Sequence, residues 1–371
     1  MKVGIDTIGC DHGRSGTGSY LFSVVPKLPL DSQIEYSLFG AEIDRYTYCG
    51  NKSFIYDSVK VGEKLSQQRR WHRWNFNYFA KKQNYEVVLF PAASKILPSS
   101  FSVKSVAVVN DIISNSLAST ENLLRKRSLR SCLKKADVII AASNFIKKDL
   151  ELSGFKNKRI EVVYNGIDHS LFYPKTVEAD EVVDIKPFAI KRPYLIYASK
   201  MQSPKKKFIE LIKAFALFKE KTGLPHRLVL AGSEGPYSDE IHKAVFNSPY
   251  ANDIFLTGYF PHESFPELYR GAQACLFPSV NEGVGLPVLE AMATGLPVAC
   301  AKAGALPEIA GNNALYFDSD NIEEMSCVIE TIVTDESLRH KLSKNGIEWT
   351  KRFDWEKTAL LTHEILLSLK K

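Results

Sequence analysis

A chain of 371 residues is too long for a single hydrophobic core and is expected to form two lobes. Its 45% hydrophobic and 24% charged residues are those of a soluble globular protein and exclude a disordered or low-complexity chain. The formal net charge of +6 is unevenly spread: residues 1–172 carry 25 Lys and Arg against 16 Asp and Glu, and the remainder carry 23 against 26.

The opening "MKVGIDTIGCDHGRSGTGSY" reaches Asp6 and then polar residues before an apolar region can form, so no signal peptide is expected. The longest apolar run, around "VIIAA", is far short of the roughly 20 residues a spanning helix needs. The expected location is the cytoplasm. Cys10, Cys49, Cys132, Cys275, Cys300 and Cys327 form no CxxC pair, which argues against a zinc site or a disulfide framework and for reduced thiols.

"KVGIDTIG" reads as a strand, followed by the glycine-rich loop "GRSGTGS" and an apolar helix. "YEVVLF", "SVAVVND" and "ADVIIAAS" read as buried parallel strands, with helical stretches such as "TENLLRKRSLRSCLKKA" between them. "VVYNGIDHSLFYP" closes this series with turn-formers, and the polar, aperiodic "KTVEADEVVDIKPFAIKRP" fits a linker. A second series follows: "YLIYAS", "HRLVLAG", "DIFLTGY", "ACLFPS" and "LPVACA". The expected fold class is α/β, two Rossmann-like doubly wound domains facing across a cleft, residues 1–172 and 173–371. In such sheets ligands sit outside the C-terminal ends of the strands.

"EGVGLPVLEAMATGLPV", residues 282–298, follows one of these strands. Pro287 suits the first turn of a helix and Gly295 its end, so Glu282 falls in the strand-to-helix loop and Glu290 one turn inside the helix. Gly283 and Gly285 allow close approach of the backbone to a ligand, and the amides around Leu286 form an anion site at the positive end of the helix. A diphosphate fits there, Glu290 can accept hydrogen bonds from a ribose diol, and Glu282 can take hydroxyls of an attached sugar. The pattern therefore points to a nucleotide sugar. Taken in isolation, the two glutamates would read as a loop cap and a surface helix residue.

This stretch resembles the E-x7-E signature of the retaining GT-B glycosyltransferases of family four, the glycosyl transferases group 1. The resemblance extends over most of the chain: "MKVGIDTIG…SGTGSY" resembles the family's first strand and glycine loop, "ADVIIAASNFIKKDL" and "VVYNGIDHSLFYP" its late N-domain landmarks, "GALPEIAG" its post-signature loop, and "RFDWEKTALLTHEIL" its closing helix. It implies that residues 1–172 bind the acceptor, residues 173–371 bind the nucleotide sugar, and the last helix, about 354–371, packs back toward the first domain. In "YASKMQSPKKKF", Lys200 and Lys206 occupy the places of the two cations that hold the departing diphosphate, with Lys200 in place of the usual arginine and Ser199 in place of the usual glycine. Lys205 and Lys207 read as a solvated face. Gly16 and Gly18 resemble the glycine pair that faces the donor phosphates. Asn110 and Asp111 stand where His-Asp is usual; an asparagine can bond a sugar hydroxyl but cannot carry a proton.

The resemblance implies a retaining, metal-independent hexosyltransferase that needs no cofactor. It would move mannose or a similar hexose from a nucleotide sugar to a glycan or a polyprenyl-diphosphate-linked glycan in surface polysaccharide or glycolipid synthesis. Its usual mechanism is front-face displacement, in which the donor's phosphate oxygen takes the acceptor proton. "DSD" at Asp318–Asp320 imitates a metal-binding motif but falls where the family has an exposed turn. Two other readings stay open: a GT-B sugar-nucleotide epimerase, and a non-catalytic sugar-nucleotide-binding protein.

The basic first half holds two further segments. "QQRRWHRWNFNYFAKK" interleaves Trp71, Trp74, Phe76, Tyr78 and Phe79 with Arg69, Arg70, Arg73, Lys81 and Lys82, and "LLRKRSLRSCLKK" sets Arg125, Lys126, Arg127, Arg130, Lys134 and Lys135 beside leucines. Such faces suit an anionic membrane surface, which would make the enzyme peripheral on the cytoplasmic side. Equally, the aromatics can be core and the cations a solvated face. No motif for nucleic acid accompanies the charge.

Overall fold

The computed structural model describes residues 1–13, 15–50, 54–118, 123–175, 182–185 and 188–370. They divide into two compact units, Met1–Gly166 with Phe353–Lys371, and Ile167–Arg352.

The first unit is built on a seven-stranded parallel sheet: β1 (Lys2–Asp6), β2 (Glu35–Gly40), β3 (Ile55–Ser58), β4 (Val87–Phe90), β5 (Lys104–Val109), β6 (Val138–Ala141) and β7 (Arg159–Val162), in the order β3-β2-β1-β4-β5-β6-β7. The aliphatic runs of β4 and β6 are buried along their whole length, as a sheet covered on both faces requires. β2, β3 and β7 escape a reading by aliphatic runs because Glu35, Tyr36, Ser37, Asp57 and Arg159 interrupt them. The buried Ser37 hydroxyl is satisfied by Asp57 on β3, at 2.8 Å. The covering helices are α1 (Gly16–Val24), α2 (Glu42–Tyr48), α3 (Leu65–Trp74), α4 (Phe76–Lys82), α5 (Ile113–Ala118), α6 (Leu123–Lys135) and α7 (Asn144–Leu150).

The aromatic segment over α3 and α4 divides its residues between core and surface. Trp71 and Phe76 are buried, and with Phe79 they pack around Phe39 of β2 at ring separations of 5.2–6.4 Å, whereas Trp74 and Tyr78 are exposed. His72 is also buried, its Nε2 within 2.6 Å of Asp6 Oδ2 and its Nδ1 within 2.9 Å of the Gln68 carbonyl. Both ring nitrogens are thus engaged, as burial of a polar ring demands. Of the second basic segment, the side chain of Arg125 lies outside the described residues.

A C-terminal helix, Trp355–Leu367, completes the first unit. Asp354 caps it by accepting from the Glu356 amide at 2.8 Å. Trp355 meets Tyr20 of α1 edge to face at 6.0 Å, Thr358 donates to the Tyr164 carbonyl at 2.7 Å, and His363 Nδ1 lies 2.7 Å from the Tyr36 hydroxyl. Gly166 has no room for a side chain, since a Cβ would stand 2.1 Å from the Trp355 amide nitrogen.

The segment expected as a linker contains structure. β8 (Val182–Ile185) and β9 (Phe188–Lys191) form an antiparallel pair, while residues 176–181, 186 and 187 lie outside the described residues. The second unit then repeats the doubly wound plan in a six-stranded parallel sheet: β10 (Tyr194–Ala198), β11 (Arg227–Ala231), β12 (Ile254–Gly258), β13 (Ala274–Phe277), β14 (Val298–Ala301) and β15 (Leu315–Phe317), in the order β12-β11-β10-β13-β14-β15. Its helices are α8 (Phe208–Thr222), α9 (Ser238–Phe246), α10 (Phe265–Gly271), α11 (Leu286–Ala293), α12 (Leu306–Ala310), α13 (Ile322–Thr334) and α14 (Glu336–Thr350). Among the described residues no helix is long and apolar enough to cross a membrane.

The packing of Trp355 yields a stability prediction. Trp355→Ala should cost the first unit about 3–5 kcal/mol, the range for removing a buried large aromatic. Hydrogen exchange checks it: amides of β1 and α1 should lose protection while those of β10 and β13 keep theirs. Equal loss in both units would show that the helix does not stabilise the first one selectively.

Candidate functional site

In the second sheet β10 lies between β11 and β13, so the chain's direction of winding reverses between β10 and β13. Loops leaving the C-terminal ends of these two neighbours carry Lys200, Lys206, Glu282 and Gly285, and the second of them leads into α11 with Leu286 and Glu290. The loop after β10 holds Lys200 and Lys206 and is laced to the loop after β11: Ser199 donates to the Ala231 carbonyl at 2.9 Å, and Met201 to the Ser233 carbonyl at 3.1 Å. Gly232 permits this approach, because a Cβ there would lie 2.0 Å from the Ser199 carbonyl oxygen. The loop ends in a short 3-10 turn, Pro204–Lys206. Lys200 is exposed; its carbonyl accepts from the Gln202 amide at 2.8 Å, and its side chain has no hydrogen-bond or ion-pair partner among the described residues.

The loop after β13 brings Glu282 to Lys206, with Nζ to Oε1 at 2.6 Å and side-chain exposures of 17% for the lysine and 13% for the glutamate. Water is largely excluded from this pair, which strengthens the attraction. The backbone fixes both partners. Val280 donates to the Lys205 carbonyl at 3.0 Å, and the Glu282 carbonyl accepts from the Ala305 amide at 2.9 Å. Gly304, with φ +61°, leaves room for that carbonyl; a Cβ would come within 2.6 Å of it. The "GALPEIAG" loop therefore positions Glu282. Lys207 is not a solvated cation: it pairs with Glu210 at 3.1 Å and with Asp320, so the "DSD" segment anchors a lysine there, and Asp318 accepts from the Asp320 amide at 2.9 Å.

Helix α11 starts where expected. Gly285 adopts φ +68° as its N-cap, Pro287 occupies the first turn, and Gly295, at φ +83°, follows its end. The Leu286 amide stands at the N-terminus, where a helix has no internal acceptor for its first N–H groups. Glu290 is mostly buried, 13% exposed, and its Oε1 lies 3.0 Å from Nε2 of His262 in the loop after β12. The hydrogen bond to Glu290 raises the pKa of His262; burial opposes this, and the negative charges of Glu290, Glu263 and Asp168 add to it. His262 also contacts the ring of Phe172 at 5.2 Å. No sequence signal marks His262, which is distant in the chain from Glu290.

The remaining candidates lie in the first unit: Gly16 and Gly18 in the first turn of α1 rather than in the loop expected for them, and Asn110 and Asp111 directly after β5. The two glycines differ. Around Gly16 a Cβ would meet nothing within 4 Å, whereas at Gly18 it would lie 2.2 Å from the Cys10 carbonyl, and the Gly18 amide is capped by Ser15 Oγ at 3.3 Å. Gly18 serves the packing of α1 on the preceding loop; Gly16 presents open backbone. Asn110 accepts from Asn165 Nδ2 at 3.4 Å, and its own Nδ2 is buried without a partner. Such a donor invites a ligand acceptor. Asp111 accepts from the Ser94 hydroxyl.

Sequence reasoning also missed His12, whose Nδ1 lies 2.6 Å from Oδ1 of the buried Asp44, while Thr7 donates to Asp44 Oδ2 at 2.7 Å. Asp11 and His12 hold left-handed backbone, φ +50° and +52°, beside a cavity of about 220 Å³. Strain of this kind is found where surrounding structure over-determines a site.

Comparison with known proteins agrees with this architecture. The description "Glycosyl transferases group 1" matches residues 180–349 and "Glycosyltransferase Family 4" matches residues 54–171. O-antigen chain mannosyltransferase B of Escherichia coli is 29% identical over 64% of this chain and 62% of its own length. Sulfoquinovosyl transferase SQD2 of Arabidopsis thaliana is 26% identical over 61% of this chain and 44% of its own. The chain thus spans less than two thirds of the length of either relative. Among solved structures, sucrose-phosphate synthase from Thermosynechococcus elongatus superposes with a TM-score of 0.76 at 18% identity, covering 100% of this chain and 99% of that one. Anabaena HepE in complex with UDP-glucose gives 0.73 at 19% identity, over 99% and 100%. With both units matched by family descriptions and by the fold, the chain belongs to the GT-B glycosyltransferases of family four, the glycosyl transferases group 1.

Proposed function

We propose that this glycosyltransferase moves a hexose, with retention of configuration and without a metal, from a nucleotide sugar to a hydroxyl of a glycan or lipid-linked glycan. The observation that carries the reading is the meeting of Lys206, Glu282 and the start of α11 at the ends of β10 and β13. In this reading Glu290 accepts the ribose hydroxyls through the oxygen that His262 leaves free. The diphosphate lies at the Leu286 amide and Gly285, and Lys200 and Lys206 take up the charge that develops as it departs. Glu282 holds Lys206 and receives hydroxyls of the transferred sugar. Because those cations and the helix end neutralise the leaving group, no metal ion is needed. In the first unit Gly16 and Asn110 are assigned to the donor, with Asp111 beside them; Gly18 supports the loop. Front-face displacement suits the site, the phosphate oxygen taking the acceptor's proton.

The mannosyltransferase relative favours mannose as the sugar, and hence GDP-mannose ahead of a UDP-hexose. We assign the enzyme to the cytoplasm, peripheral on the membrane face, in polysaccharide or glycolipid synthesis. No nucleic-acid partner is proposed.

A panel of UDP, GDP and ADP sugars, incubated with and without acceptor lipid extract, tests the function. Release of nucleoside diphosphate from one donor, dependent on extract, is expected. An altered sugar without release would instead identify an epimerase, and binding with neither would identify a non-catalytic protein. With the productive donor, Lys206→Ala should lower turnover about 100-fold, the scale for losing one oxyanion donor. Glu282→Gln should change discrimination between donor sugars while leaving affinity for the bare nucleotide near wild type. Because the two side chains are bonded, the double variant should lose less than the sum of the singles. Strict additivity would refute a joint role.

Glu290→Ala should weaken nucleotide binding by about 1.5–3 kcal/mol, the range for a hydrogen bond to a charged group. His262 adds a pH dependence with a defined sign. Its pKa is raised by Glu290, so the imidazolium that fixes Glu290 and attracts the nucleotide is present below that value and lost as pH rises through it. Nucleotide affinity measured by calorimetry should fall over that interval in the wild type and be flat in His262→Gln. A variant with the wild-type profile would overturn the role of His262.

A further inference from the structure

The two basic segments meet in the first unit around a cavity of about 420 Å³. Its lining includes four cations, Arg69, Arg70, Arg73 and Lys95, and no carboxylate. The Arg69 guanidinium donates to the Lys95 carbonyl at 3.1 and 3.3 Å, which joins α3 to the loop after β4 and fixes one wall. Lys95 is paired with Asp11 at 2.9 Å, and the nearby Asp111 is engaged with Ser94. Arg70 and Arg73 are exposed and have no acidic partner among the described residues. Arg70 and Arg73 stand about one turn apart on α3, neighbours on the helix surface whose like charges repel. An anion seated between them would remove that repulsion.

The cavity is not purely electrostatic. Ile96, Leu97 and Leu129 line it as well, and Trp74, 73% exposed, stands at its side. A sheet of arginines alone would suit any polyanion. Arginines beside aliphatic side chains and an exposed indole suit a phosphate ester that carries an apolar chain.

We infer that this cavity binds the diphosphate of a prenyl-diphosphate-linked acceptor, with Arg70 and Arg73 on the phosphate oxygens and Trp74 along the first part of the chain. The inference deepens the reading of the protein as a transferase acting on lipid-linked glycans and rests on it.

Farnesyl diphosphate is a soluble probe of this chemistry, and titrating the whole protein with it, followed by tryptophan fluorescence, provides the test. Wild type should bind it. Arg70→Ala/Arg73→Ala should bind at least about tenfold more weakly, with unchanged circular dichroism and nucleotide affinity. Inorganic pyrophosphate should compete at higher concentration, and UDP should not compete. Unchanged affinity in the double variant, or displacement by UDP, would overturn the assignment. So would vesicles of phosphatidylglycerol that bind through Arg70 and Arg73 when farnesyl diphosphate does not bind, since the cations would then read a membrane surface. Binding of farnesyl diphosphate without binding of any nucleotide would leave the cavity assigned and sink the donor reading; the converse would sink the cavity alone.

Discussion

The reversal of strand order between β10 and β13 is the constraint from which the candidate site follows. Neighbouring parallel strands whose crossovers leave toward opposite faces of the sheet have loops that diverge at their C-terminal ends, and the space between them is not filled by the fold itself. Here one of those loops carries Lys200 and Lys206 and the other carries Glu282 and leads into α11. Cations from one loop, and a carboxylate and helix N-terminus from another some 76 positions later in the chain, thus gather at one place because of topology.

Holding such loops still requires backbone to pass close to backbone, and glycines permit it. Gly232 admits the Ser199 carbonyl and Gly304 admits that of Glu282, each at a distance that a Cβ would block. Lys206 and Glu282 consequently meet in a pre-set geometry with little water around them. The same burial makes the pair interdependent, since removing either partner leaves the other charged and poorly solvated.

The first unit handles its own strand ends differently. Its glycine loop is braced by the contact of Gly18 with Cys10, and the helix that follows is packed against Trp355 from the far end of the chain. Polar capacity is left over at Asn110, and the His12–Asp44 pair sits on left-handed backbone. The α3–α4 segment serves two ends at once: Trp71, Phe76 and Phe79 build the core around Phe39, while Arg70, Arg73 and Trp74 are exposed to solvent. A single amphipathic stretch can therefore be both core and surface site.

What the sequence by itself determined was local. The aliphatic runs of β1, β4, β6, β10, β13 and β14 announce strands buried on both faces, and Pro287 and Gly295 bound α11 because each constrains the backbone at its own position. The α/β class and the place of Glu282 and Glu290 on loop and helix follow from such signals alone. Strands interrupted by polar or aromatic residues, β2, β3, β7 and β15, and the hairpin within the supposed linker carried no such signal, because neighbours in the sheet decide whether those residues can be extended and buried. Tertiary structure alone decided the partners: His262 on Glu290, Lys206 on Glu282, Lys207 on Asp320, His72 on Asp6, and Gly18 against Cys10 rather than open like Gly16. A hydrogen bond or a close contact depends on which distant segment the topology sets opposite a side chain, and that is a property of the assembled sheet, not of the residues flanking either partner.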